Sequence, residues 1–416
     1  MEHKEPRVFE LANGLRVSYL HTPSIVSHLG ISILGGSRYE QEGEEGLAHF
    51  LEHCIFKGTK KRKAFHVLSR LDSVGAELNA YTTKEEICIY TSFSSEHLKR
   101  ATELLSDITF ESVFPEKEIE KEKEIILDEI NSYLDSPGDK IFDDFEAYLF
   151  PNHSLGNNIL GTKDSVQSFT RDHLLNYVNR FFHPRNMVIS FVGNSSEKKV
   201  LNYIERYFGS YRSNQEIISP APIRNYQPFQ KSVQEANYQV HVVVGGIAPG
   251  LNDPKRRVMT LLINLLGGPA LNSRLVLSVR EKYGYSYNIE ASYTPYKEIG
   301  YWNIYASTDQ RFVSKTLKII HRELAKLAAV PLTPHQLRQA KTQLKGHIAL
   351  GMENNSGLML NFGKSLLMFN QIDTVEQVHE AIDEITSQDL QQMAQEFFDT
   401  SNLSQLVFEL DKDGEK

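Results

Sequence analysis

SFTRDHLLNYVNRFFHPRNMVISFVG, residues 168–193, lies without gaps over EITSQDLQQMAQEFFDTSNLSQLVFEL, residues 384–410. Thr170 meets Thr386, Leu174 meets Leu390, Phe181 and Phe182 meet Phe397 and Phe398, and Asn186 meets Asn402, always 216 residues apart. A constant offset points to duplication. In each copy the threonine is a candidate N-cap, a helix runs to the Phe-Phe pair, and an Asn turn leads into a short apolar strand. Each half of the chain is therefore expected to end helix, turn, strand.

Working outward, strand patterns at 15–20, 29–34, 87–93, 240–244 and 301–306 alternate with long helical patterns such as 116–134 and 334–349. This order predicts an α+β protein of two tandem homologous α/β-layer domains, with helices packed on mostly antiparallel sheets. The stretch 212–231, RSNQEIISPAPIRNYQPFQK, holds three prolines and no sustained period, so it reads as a linker between domains at 1–211 and 232–416.

Composition narrows the class. With 416 residues, 40% hydrophobic and 24% charged, the chain reads as a soluble globular protein of two or three domains. Two cysteines, Cys54 and Cys88, make no disulfide framework and suit a reducing compartment. The N-terminal stretch carries charges throughout and lacks the apolar run of a signal peptide or membrane span, so a cytoplasmic location with no membrane partner is expected. A net charge of -8 argues against a nucleic-acid partner, and the basic run KGTKKRK at 57–63 reads as a solvated loop.

One segment breaks the apolar pattern. In GLAHFLEHCIFKGT, residues 46–59, helical spacing puts His49, His53 and Glu52 on one face, opposite an apolar back. Imidazoles at i and i+4 can both reach one Zn²⁺ through bonds of about 2.0–2.1 Å. Two core histidines satisfied by hydrogen bonds would leave the same pattern. Fifteen histidines in 416 residues give about 0.5 such pairs by chance, and below about 0.07 once an acid is required at i+3. A third ligand must come from elsewhere; in EKEKEIILDEI, Glu122 and Glu129 are seven apart and share one side of a helix.

HFLEH at 49–53, with Glu129 lying 76 positions after His53, resembles the pitrilysin, or M16, metallopeptidases. The likeness covers nearly the whole chain and includes NGLRV at 13–17, GGSRYE at 35–40, LNAYTTKE at 78–85 and SRLVLSVREKYGYSY at 273–287. It is similar to the short-chain subgroup that includes the mitochondrial processing peptidase beta subunit and bacterial relatives.

The resemblance implies a zinc-dependent endopeptidase in which His49, His53 and Glu129 bind one Zn²⁺ per chain, Glu52 is the general base and Glu122 supports the ligands from behind. It implies that Arg280 and Tyr287 contact the substrate backbone and the developing oxyanion, although alone they read equally as a surface arginine and a core tyrosine. Asn79 and Ala80 match the edge strand along which a peptide substrate adds, although Asn79 alone reads also as a turn residue.

The second copy has MTLLINLLGG where the first has the histidine helix, so one metal site per chain is expected. Family members enclose a chamber with four such units, which implies a homodimer here, its sites shared between chains and open to short or unfolded peptides. The competing expectations are a noncatalytic core-like subunit, or one member of a heterodimer.

Overall fold

The computed structural model describes residues 5–212, 221–223, 226–236 and 238–410. They form two compact units, each built around one sheet. The first comprises Met1–Asn131, Asn157–Ala221 and Leu350–Thr374, and the second Ser132–Gly156, Pro222–Ala349 and Val375–Lys416.

The first sheet contains β1 (Arg7–Glu10), β2 (Arg16–His21), β3 (Val26–Leu34), β4 (Glu77–Thr82), β5 (Glu86–Ser94) and β6 (Met187–Gly193), in the spatial order β1-β2-β6-β3-β5-β4. The second contains β7 (Gln230–Glu235), β8 (Val240–Pro249), β9 (Ser286–Pro295), β10 (Ile299–Thr308) and β11 (Ser404–Leu410), in the order β7-β11-β8-β10-β9. Without β1, the two orders are the same path through the sheet. Each holds a single parallel pair, β2 with β6 and β7 with β11, and the other neighbours run antiparallel. The duplication inferred from the chain ends thus extends to sheet topology, and the α+β reading holds.

The repeated stretches fold alike. Helices Arg171–Phe181 and Ser387–Phe397 follow Thr170 and Thr386. The amide of Thr170 bonds to His173 Nδ1 at 3.0 Å, and that of Thr386 to Asp389 Oδ2 at 2.7 Å, so the third residue of each helix reaches back to its cap. Both stretches then turn through one 3₁₀ segment, Pro184–Asn186 or Thr400–Asn402, into the central strands β6 and β11.

One arrangement departs from a simple division at 212–231. Helix Pro137–Leu149, from the first half of the sequence, buries Ile141, Phe145 and Leu149 against β8 and β11 of the second unit. Helix Asn355–Phe369, from the second half, buries Met359, Phe362 and Leu366 on β2, β3 and β6 of the first. The repeats have exchanged one helix each. Burial of a large apolar side chain contributes roughly 1.5–3 kcal/mol, so three per helix suffice to fix each on its sheet. Of the expected linker, 213–220, 224 and 225 lie outside the described residues, and Gln230 and Lys231 begin β7.

The basic run is not simply solvated. Lys60 and Lys61 are exposed, but Arg62 is largely covered, with Nη2 2.8 Å from Glu103 and Nη1 2.5 Å from Asp107. The acids that neutralise it come from helix Leu98–Phe110, too distant in sequence for a charge count over 57–63 to register.

Candidate metal centre

Helix Leu47–Cys54 presents Leu47, Ala48, Phe50, Leu51 and Cys54 to the core of the first unit, which leaves His49, Glu52 and His53 on the remaining face. Its N-terminus is fixed from a distance. Glu40 accepts the amides of Gly46 at 3.0 Å and Ala48 at 2.8 Å, satisfying donors that the helix itself cannot. Gly46 has φ +93, and a Cβ there would lie 2.6 Å from the Leu160 carbonyl oxygen, so only glycine fits the entry to the helix.

Helix Glu116–Leu134 supplies the acids. Glu129 Oε2 lies 3.8 Å from His49 Nε2 and 3.7 Å from His53 Nε2. Ligands at about 2.0–2.1 Å from a tetrahedral zinc are about 3.3 Å from one another, so each Glu129–imidazole separation exceeds that spacing by only about half an ångström. Among the described residues, His49, His53 and Glu129 are the one group of this kind, their ligand atoms all within 4.8 Å of each other.

Protonation fits a cation. Burial, and then the neighbouring His53, hold the His49 imidazole down to about 4, so it is neutral with a lone pair to offer at ordinary pH. Glu122 Oε2 sits 3.3 Å from His53 Nδ1, and its other oxygen is 2.7 Å from Lys57 Nζ. Burial works to raise the Glu122 carboxyl, but the bonds to His53 and Lys57 outweigh it and hold the acid below its usual range. An ionised Glu122 assigns the proton of a neutral His53 to Nδ1, which turns the Nε2 lone pair toward His49 and Glu129. His49 Nδ1, in contrast, is buried with no hydrogen-bond partner among the described residues.

Glu52 stands beside this group without joining it. Its Oε2 accepts a 2.6 Å bond from Thr82 Oγ1 on β4. Burial raises its carboxyl above the usual range, with the Thr82 bond and His53 pulling the other way. A base with raised affinity for a proton, next to a cation site, is suited to take one from water and return it.

Asn79 and Ala80 lie in β4, which pairs with β5 and ends the sheet order. The other long side of β4 faces no strand among the described residues, so the strand is available for pairing. Asn79 is exposed and Ala80 half-buried; neither occupies a turn. Arg280 and Tyr287 lie in the second unit and meet each other: the guanidinium sits 4.7 Å from the Tyr287 ring centre. Arg280 is in a π-helical segment, Val276–Glu281, and Tyr287 is 81% exposed at the start of β9 rather than in a core.

Lys57, Thr82 and Glu40 were not singled out as site residues from the sequence. Lys57 is four residues beyond His53, an interval that could have flagged it. Thr82 and Glu40 reach the helix only through tertiary contacts, and no local spacing reports them.

Comparison with known proteins gives the family of the chain. Residues 16–163 match the family described as insulinase (peptidase family M16), and residues 168–344 match the peptidase M16 inactive domain. An uncharacterized zinc protease of Bacillus subtilis, YmxG, is 31% identical over 93% of this chain and 94% of its own length. An uncharacterized zinc protease of Rickettsia bellii is 31% identical over 96% of this chain and 97% of its own. The crystal structure of a protease from Helicobacter pylori superposes with a TM-score of 0.90 at 21% identity, covering 97% of this chain and 99% of that one. The chain belongs to the M16 peptidase family, and its relatives are named zinc proteases.

Proposed function

We propose that this protein is a zinc-dependent endopeptidase of short or unfolded peptides, with His49, His53 and Glu129 holding the metal and Glu52 acting as general base. The observation that carries the reading is the approach of Glu129 Oε2 to both imidazole Nε2 atoms, at 3.8 and 3.7 Å. Zn²⁺ bound there would supply Lewis acidity, polarising a peptide carbonyl and making water a stronger acid. Glu52 receives the proton of the attacking water and delivers it to the leaving amine, while Thr82 keeps its carboxylate aimed. Glu122 and Lys57 hold His53 in the tautomer that offers Nε2.

A peptide adding along the free edge of β4 gains backbone hydrogen bonds from residues around Asn79 and Ala80, which gives affinity with little dependence on sequence. Arg280 and Tyr287 of a second copy complete each of two equivalent sites in a homodimer, stabilising the oxyanion from the opposite side. Two buried free thiols, Cys54 and Cys88, suit a reducing cytoplasmic setting, and no described helix is long and apolar enough to cross a membrane.

A second reading, a noncatalytic subunit of an M16 assembly, draws support from the inactive-domain match at 168–344. Glu52→Gln decides between them. The variant is expected to retain zinc at about one ion per chain by elemental analysis while peptide cleavage falls by about 10²–10⁴-fold. Undiminished cleavage removes Glu52 from the chemistry, and a wild-type chain that binds no zinc and cleaves no peptide favours the noncatalytic subunit.

A further inference from the structure

Three aromatic rings stack in a column on the second unit, beside the pair formed by Arg280 and Tyr287. Tyr283 lies nearly parallel to Tyr285, with centroids 5.2 Å apart and planes 13° apart, and Tyr285 lies on Phe312 at 4.7 Å and 19°. A tight return brings the first two together. The amide of Gly284 bonds to the Arg280 carbonyl at 2.9 Å and that of Tyr285 to the Val279 carbonyl at 3.2 Å, with Gly284 at φ +62. Phe312 arrives from the 3₁₀ turn Gln310–Phe312 that follows β10. Tyr283 is 40% exposed, so one end of the column is open to solvent.

Cations edge this column. Lys282 Nζ is 5.2 Å from the Tyr283 ring centre, and Lys315 Nζ is 5.5 and 5.4 Å from those of Tyr285 and Phe312. A ring face holds an ammonium through its quadrupole and leaves the charge in place. The charges of Lys282 and Arg322 lower the pKa of the Tyr283 hydroxyl, which marks the local field as positive. Among the described residues no carboxylate forms an ion pair with Lys282, Lys315 or Lys318, whereas Asp309 is taken by Arg311 at 2.9 Å and Glu281 meets Arg280 at 3.6 Å. Glu323 bonds to Lys326 at 2.8 Å and is only grazed by Arg322 Nε, at 3.6 Å.

The duplication supplies an internal control. Ser92 and Ser307 pair with His28 and His241, which pair in turn with Val192 and Phe408, residues separated by the repeat offset of 216. From these serines both units run through a 3₁₀ turn, Ser95–His97 or Gln310–Phe312, into helices that begin at Leu98 and Val313. Phe312, Lys318 and Arg322 are therefore equivalent to His97, Glu103 and Asp107. In the first unit the two acids are neutralised from within, by Arg62 at 2.8 and 2.5 Å. The second unit reverses their sign. A carboxylate brought by a ligand would play there the part that Arg62 plays in the first.

We infer that the column of Tyr283, Tyr285 and Phe312, with Lys282, Lys315 and Arg322, is a carboxylate-binding subsite for the peptide substrate, taking an aspartate, a glutamate or the peptide's own C-terminus. The inference rests on the reading that Arg280 and Tyr287 contact the substrate at the scissile bond. Tyr283 is four residues from Tyr287, at most about 14 Å of extended chain, so the carboxylate falls within about four residues of that bond. The stacked rings hold the ammonium groups in place before the ligand arrives, which reduces the entropy lost on binding. A net charge of -8 repels long polyanions at a distance, so the local cations suit a single carboxylate better than a nucleic-acid strand.

The test uses zinc-loaded full-length protein and an alanine-rich, end-blocked peptide series in which Glu, Gln or Lys is placed at each position out to five residues either side of the cut. At one position within four residues Glu is expected to give a kcat/KM about 5-fold above Gln, the size of two partly exposed ion pairs. Lys282→Gln with Lys315→Gln should level the two, and Lys282→Glu with Lys315→Glu should place Lys above Glu. Peptides whose only carboxylate is a C-terminus at that distance, free or amidated, separate the two sources of the anion. The same ranking is expected in dissociation constants measured by fluorescence polarisation on Glu52→Gln. Cleavage of the neutral parent with no preference for a carboxylate of either source, or a Glu preference that survives in the charge-reversed variant, overturns the subsite and leaves the peptidase reading standing. Failure of the wild-type protein to cleave the parent overturns both.

Discussion

The two units share a strand path, yet one assembles a candidate metal centre and the other a hydrophobic equivalent. In the first, helix Leu47–Cys54 turns two imidazoles toward Glu129. In the second, helix Arg256–Gly267 buries Met259, Leu261, Leu262, Ile263 and Leu266, and the long helix Pro334–Met352 that follows buries Ala340 and Leu344. A polar contact survives there as His347 Nδ1 to Asn264 Oδ1, 3.2 Å apart, and among the described residues no group of three metal-ligating side chains gathers around it. The architecture therefore tolerates either filling. Chemistry is a matter of a few side chains on one pair of helices, and the apolar set shows what those positions do when packing alone is required.

Four outcomes would break or sharpen this contrast. The largest effect is expected from His49→Ala or Glu129→Gln, either of which should take zinc from about one ion per chain to none by elemental analysis and reduce cleavage to background. A variant that keeps its zinc would show that the ligands lie elsewhere. The matched change in the second unit, His347→Ala, should leave zinc content untouched, since that helix pair offers no cluster of donors.

Glu122→Gln comes next. Removing the charge that fixes the His53 tautomer should weaken zinc affinity by about 10–100-fold, measured by competition with a chelator. An unchanged affinity would reduce Glu122 to a structural partner of Lys57.

Gly46→Ala tests the distant capping of the ligand helix. A side chain at φ +93 against a carbonyl at 2.6 Å should cost about 1–3 kcal/mol, seen as a lower midpoint in urea for the metal-free protein. A change within a few tenths would mean that the backbone relaxes at no cost.

The smallest effect concerns Thr82→Val. The Thr82 bond favours the ionised form of Glu52, so without it the carboxyl, already raised by burial, moves further up. The base is then protonated at higher pH, and the acid limb of the kcat/KM profile should shift toward alkaline pH with a loss of a few-fold near neutrality. A limb that stays in place would assign it to a different group.

Much of the candidate centre was legible because it is written in local periods. His49 and His53 are one helical turn apart, Glu122 and Glu129 two, and the structure brings both pairs to one point. Arg280 and Tyr287, seven positions apart, also meet, through a turn that no simple period describes. The cap from Glu40, the Thr82 bond to the base and the Lys57 ion pair were less visible, because the first two depend on which loop or strand lies beside the helix. The domain division shows the same limit. The pattern at 137–149 marks an amphipathic helix, but an apolar stripe is indifferent to which of two similar sheets it covers.

By itself the sequence determined the duplication, the alternation of strands and helices, and the spacing of the imidazoles and carboxylates, since these follow from the geometry of a single helix or strand. Only the tertiary structure decided that the repeats exchange a helix and that β4 is left as a sheet edge. Those outcomes depend on the total apolar surface buried and on donors and acceptors satisfied between segments far apart in the chain, quantities that no short stretch contains.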